Sequence, residues 1–193
     1  MARPKGFDDA AVLEAAVDCF WNRGFVATSV RDLGDHMGIG SASLYNAFGD
    51  KRRLYAKALE HYLNISVRER IARLEAQQAP IDAIRAFFAE IIERSLKDPD
   101  RRGCMLVNAA LEVAPHDADL RAAIVRYLEE IRLFFERSVR AAQKERTVLG
   151  QRSPRDVSRL LLGVLLGIRV LARSKPDRAL LEGVARPALS LLD

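Results

Sequence analysis

At 193 residues the chain has room for one sizeable domain, or for a small head fused to a larger body. With 49% hydrophobic and 30% charged residues it has the balance of a globular protein, and its longest apolar run, LLLGVLLGI at 160–168, is too short to span a membrane. The formal charge of +5 does not by itself point to a nucleic-acid partner, because up to Tyr55 seven Lys/Arg are matched by seven Asp/Glu.

The N-terminal MARPKGFDD has basic residues with no apolar stretch behind them, so no secretory signal is expected. From there the apolar residues recur at helical spacing, and no segment alternates as a strand does. Asp8 is placed to cap a first helix carrying Val12, Leu13, Ala16, Val17 and Phe20, which Gly24 ends. Thr28 or Ser29 caps a short second helix with Val30, Leu33 and Met37, stopped by Gly38. A third begins near Ser41, with Leu44 and Phe48 on one face, and Asp50 caps a long fourth helix over 51–77. Pro80 opens the next, which ends before Asp98-Pro99, and a shorter one runs from Gly103 towards Pro115. Asp117 or Asp119 caps a long seventh helix, and Ser153-Pro154 and Pro176-Asp177 introduce two more, over 155–174 and 178–192, with Pro187 expected to kink the last. The expected fold is all-α with nine helices.

Two short helices joined by a glycine turn, 29–38 and 41–48, have the spacing of a helix-turn-helix. Val30, Leu33, Met37, Ile39, Leu44 and Phe48 would bury the pair, leaving Arg31, Ser41, Ser43, Tyr45 and Asn46 outside. In this motif the second helix enters the major groove, where small hydroxyls allow close approach, Asn pairs with adenine and Arg with guanine. Tyr45, Lys51, Arg52 and the helix N-terminus at Lys51 can reach phosphates, where positive charge clusters.

The stretch GFVATSVRDLGDHMGIGSASLYNAFGDKRRLYAKAL (24–59) contains G-F-x-x-T-S-V-x-x-L, a G-I turn, and S-L-Y-x-x-F-x-x-K. It resembles the DNA-binding head of the TetR family of bacterial transcriptional repressors. The resemblance implies a nine-helix subunit with a head over 1–50 and a ligand-binding and dimerisation body over 51–193, joined by the 51–77 helix. It implies a cytoplasmic homodimer that leaves double-stranded DNA when a small-molecule effector binds, with no cofactor. Thr28, Ser29, Tyr45 and Lys51 match phosphate-contacting positions of the family, and Arg31, Ser41, Ser43 and Asn46 match positions that face bases. Ala47 departs from the larger residue common at its position, and no role is assigned to it. RPKGFD is similar to the start of a subgroup with a basic arm, so Arg3 and Lys5 are either minor-groove contacts or charges on a solvated tail.

Other chemistries lack their residues. GIGSAS has neither the GK[ST] ending of a phosphate loop nor a third glycine and preceding strand for a dinucleotide site. His36, His61 and His116 are scattered, so no metal site is expected, and no nucleophile–base set stands out, so no catalytic residues are expected. The two cysteines, Cys19 and Cys104, cannot form a disulfide framework, which fits a reducing cytoplasm. Cys19 sits beside Phe20 as a core residue, whereas Cys104 lies at a helix start next to Arg101-Arg102, a setting that lowers a thiol's pKa. RRGCMLVNAALEVAPHD also looks like a subgroup of the family with a G-C-x-x-x-N-x-x-x-E segment, some members of which sense electrophiles or oxidants through that cysteine. Cys104 is thus either structural or a redox or electrophile sensor.

The helix RLLLGVLLGIRVL is apolar around most of its circumference, more than one subunit covers. Leu160, Gly163, Val164 and Gly167, with Leu181, Val184 and Leu189 on the last helix, are the expected dimer interface. A helical protein-interaction module without sequence-specific DNA binding is the alternative function.

Overall fold

The computed structural model describes residues 9–145 and 152–193, so Asp8, Arg3 and Lys5 lie outside the described residues. Among these the chain is all-helical, with no strand. The head comprises α1 (Asp9–Arg23), α2 (Val30–Met37) and α3 (Ser41–Phe48). Three consecutive segments, Lys51–Leu63, Asn64–Arg68 and Glu69–Gln77, form one unbroken helix, α4, whose middle segment is π-helical. The body continues with α5 (Pro80–Leu96), α6 (Met105–Glu112), α7 (Ala118–Lys144), α8 (Pro154–Ser174) and α9 (Arg178–Leu189), which runs into a 3-10 turn at Ser190–Leu192. Among the described residues this makes nine helices, as the apolar spacing predicts, and Pro187 lies inside the last.

The caps explain where the helices start. Pro80 and Pro154 occupy first-turn positions, where the missing N–H costs nothing. Asp117, not Asp119, caps α7, its carboxylate accepting from the Leu120 N–H at 2.9 Å. Ser29 caps α2, and Asp32 completes a capping box by accepting from the Ser29 N–H at 2.9 Å.

Phe87 and Phe88 of α5 meet Phe134 and Phe135 of α7 at the centre of the body, with Phe87 and Phe134 ring centroids 5.5 Å apart and all four side chains buried. The head has its own seam: Phe20 of α1 and Phe25 both pack edge-on against Tyr55 of α4, each with ring centroids 4.9 Å apart. Burial of these aromatics makes α4 a shared wall of head and body.

Candidate nucleic-acid interface and effector cavity

The turn between α2 and α3 is tight for a definite reason. Gly38 has φ 67°, a left-handed conformation that suits glycine, and the Ile39 N–H bonds the Gly34 carbonyl at 3.0 Å. A Cβ at buried Gly34 would lie 2.9 Å from the Ile39 carbonyl oxygen, so α2 needs glycine there too. Leu33, Met37, Leu44 and Phe48 are buried beneath the motif. Arg31, Ser41, Ser43, Tyr45 and Asn46 are exposed, and no side-chain hydrogen bond among the described residues occupies the last four.

Three of the residues expected to bind DNA, Thr28, Lys51 and Arg52, are engaged elsewhere. Thr28 is fully buried and its hydroxyl donates to the Gly24 carbonyl at 2.6 Å, so its side chain cannot reach DNA. Lys51 donates from Nζ to the carbonyls of Phe25 and Thr28, both at 2.8 Å, and lies 4.4 Å from the Phe25 ring centroid. It is first a strut that ties α4 to the α1–α2 turn, with one of its three donors left over. Arg52 turns away from the head surface to form a forked pair with Asp117 and a 2.7 Å bond to Asp119. Its neighbour Arg53 is the exposed cation at the start of α4, which the sequence reading left unassigned.

Beyond residue 100, two body side chains bond the head itself. Asp18 of α1 accepts from Arg102 at 3.0 Å and faces His36 of α2 at 3.2 Å. Glu112, at the end of α6, accepts from the backbone N–H groups of Val26 at 2.7 Å and Phe25 at 3.1 Å. Arg102 and Glu112, with the Asp117 and Asp119 that hold Arg52, lie within residues 102–119, on and around α6. Spacing did not single out the roles of Glu112, Arg102 or Asp18.

The same segment borders a buried chamber. Cys104 stands at the N-cap of α6, half-buried, with the Tyr62 hydroxyl 3.5 Å from Sγ. Burial raises the Cys104 thiol, but the Arg169 guanidinium, the Tyr62 hydroxyl and the backbone N–H groups of Val107 and Leu106 outweigh it, holding the thiol below its ordinary range. Cys19, by contrast, is buried and its thiol is pushed up, chiefly by desolvation. Asn108, a turn after Cys104, donates to the Arg102 carbonyl at 3.0 Å and accepts from Arg173 at 2.7 Å. Cys104, Asn108 and Glu112 thus run along α6 at four-residue steps from chamber to head. Phe87 of α5 lines this chamber, while Phe134 and Phe135 of α7 are core.

On α8, Leu160, Gly163, Val164 and Gly167 form an exposed or half-buried stripe, extended by exposed Val170. A Cβ built at Gly163, Gly167 or Gly183 meets nothing within 4 Å, so the surface is open there. Val184 is half-buried on α9, but Leu181 is fully buried in its own subunit, and Leu189 lines a groove against α5. Leu181 therefore holds α9 to the body and is not part of the outward face, whereas Leu189, like Val184, stays half-buried. Among the described residues no cluster of metal-ligating side chains occurs, and no helix is long and apolar enough to cross a membrane.

A three-helix head with an exposed recognition helix, carried on a helical body, defines a helix-turn-helix transcriptional regulator. Family models agree: residues 12–58 match the bacterial regulatory proteins of the tetR family and residues 80–187 the tetracyclin repressor-like C-terminal domain, so the chain belongs to the TetR family. It is 33% identical to the uncharacterized HTH-type transcriptional regulator YezE of Bacillus subtilis, over the whole of both chains. It is 27% identical to the HTH-type transcriptional repressor ComR of Escherichia coli, covering 98% of this chain and 90% of that protein. Among solved structures, a cysteine mutant of the TetR family regulator CifR complexed with 26 bp double-strand operator DNA superposes with a TM-score of 0.87, at 29% identity and with full coverage of both chains.

Proposed function

We propose that this chain is a homodimeric repressor that binds a pseudo-palindromic operator through α3 and is released by an effector bound in the body. The carrying observation is the exposed set Ser41, Ser43, Tyr45 and Asn46 on a helix whose opposite side is anchored by buried Leu44 and Phe48. Arg31, Ser41, Ser43 and Asn46 read bases, and Ser29, Tyr45, the leftover donor of Lys51 and the exposed Arg53 meet phosphates. The α8 stripe with Val184 of α9 forms the dimer face, which sets two recognition helices about one DNA turn apart, ~34–36 Å. Membership in the family and the operator complex of CifR support this reading.

Release requires that the effector favour a body conformation whose heads have the wrong spacing, since a ligand binding both states equally shifts nothing. The bonds from Arg102, Glu112, Asp117 and Asp119 make the 102–119 segment the element that carries such a change to the head. The lowered thiol of Cys104 at the start of this segment supports the electrophile form of the effector. A gel shift with genomic duplexes tests the whole: a salt-sensitive shift by a species that sediments as a dimer is expected. No shift at low salt would favour the protein-interaction alternative. Operator affinity unchanged after maleimide modification of Cys104 would remove the electrophile form alone.

A further inference from the structure

A cleft of about 150 Å³ lies where α1 of the head meets the body, beside the Cys104 chamber. Two side chains that line it carry buried donors with no acceptor among the described residues: the indole Nε1 of Trp21 and the Nε of Arg169. Trp21 is 8% exposed and Arg169 5%. Arg169 spends its other nitrogens on the Ser95 hydroxyl, at 2.8 Å, and the Gly103 carbonyl, and pairs with no carboxylate among the described residues. A buried guanidinium whose nearest acidic groups are a thiol and a phenol rather than a carboxylate, and a buried N–H without an acceptor, are both costly, and native structures seldom keep them without a use.

The surroundings point to the sign of the missing partner. Arg94 lines both cleft and chamber, 5.5 Å from the Trp21 ring centroid, with no carboxylate partner among the described residues. Lys97 and Arg101 add positive charge at the cleft, and its one acid, Asp98, is engaged by Arg102 at 3.2 Å. On the chamber side the lining is mostly hydrocarbon, including Phe87, Leu106 and Leu165.

We propose that this cleft binds the carboxylate of a small organic acid, its oxygens accepting from Trp21 Nε1–H and Arg169 Nε–H, with Arg94 supplying further charge and the acid's hydrocarbon facing the chamber. In the described conformation the chamber offers about 30 Å³, close to one water's share, so a hydrocarbon body enters only as its walls part. Leu106 of α6 is one of those walls, so entry disturbs the helix that holds the head. This names the class of the effector and rests on the repressor reading above.

Calorimetric titration of the full-length protein with benzoate, hexanoate, methyl benzoate and inorganic phosphate tests it. Saturable binding of both acids is expected, with the ester and phosphate about tenfold weaker or worse. Trp21→Phe, which removes the donor while keeping an aromatic ring, and Arg94→Gln should each weaken benzoate by about tenfold and weaken the ester far less, so the test stands even if Arg169→Gln does not fold. Cys104→Ser should still bind both acids. Equal binding of acid and ester, phosphate binding as tightly as the acids, or no saturation by either acid up to about 10 mM would each overturn the proposal. Acids that bind as expected but leave operator affinity unchanged would instead contradict the effector reading and leave the site standing.

Discussion

Oε1 of Glu112 accepts the backbone N–H of Val26 at 2.7 Å, so a body carboxylate fixes the loop that leads into the recognition motif. Its second oxygen takes the neighbouring Phe25 N–H, leaving no room nearby: a Cβ on Gly24 would stand 2.9 Å from that carboxylate. Glu112→Ala removes both acceptors at a partly solvated site and should cost about 1–2 kcal/mol. For a chain of this size that is a fall in Tm of roughly 2–8 °C, read by differential scanning calorimetry. Gly24→Ala should cost more, because it also forces a side chain into φ 84°.

Lys51→Ala should act on stability as well as on DNA. Loss of two carbonyl bonds and the contact with the Phe25 ring predicts about 1–2 kcal/mol of destabilisation in a urea melt. Binding to duplexes should weaken alike for all sequences, and the salt slope should fall by no more than about one. A changed base preference in this variant would mean that Lys51 reads sequence.

The Asp117 carboxyl is held down to about 2 by Arg52 first and by the Leu120 N–H next. Its folded value lies below the ordinary carboxylate value of about 3.9, so its stabilisation is complete well above that value and is lost as pH falls towards 2. Comparing urea midpoints of the wild type and Asp117→Asn across pH should show a gap that is full near pH 6 and closes in acid. A gap that stays constant down to about pH 2 would remove the charge from the explanation.

The two thiols should separate by reactivity. Iodoacetamide labelling followed by mass spectrometry should modify Cys104 with a pH midpoint below the ordinary thiol value of about 8.5, while Cys19 resists in the folded protein. Arg169→Gln should raise the Cys104 midpoint by removing its nearby cation. Equal labelling of both residues would contradict the chamber geometry.

Much of this architecture was legible because it is local. Helical spacing, Pro80 and Pro154 at first turns, and Gly38 at the turn are decided within a few residues, and they set the helix order and the exposed side of α3. Side-chain commitments over long separations were not legible. Arg52 and Asp117 are 65 positions apart and Glu112 and Val26 are 86 apart, so nothing in a local window diverts Arg52 from DNA or assigns Glu112 to the head. Thr28 and Ser29 are equivalent as sequence, and only packing decides which hydroxyl caps α2 and which turns inward. The π-helical stretch Asn64–Arg68 has no local signal of this kind.

Base readout by α3 is tested most directly by selecting bound duplexes from a random library with the wild type and with Asn46→Ala, then sequencing both pools. DNA recognition through this helix predicts that the wild type enriches two related half-sites in inverted orientation, and that Asn46→Ala relaxes preference at one position of each, worth about 1–3 kcal/mol of discrimination. An identical enriched sequence from both proteins, or no enriched sequence from the wild type, would contradict it.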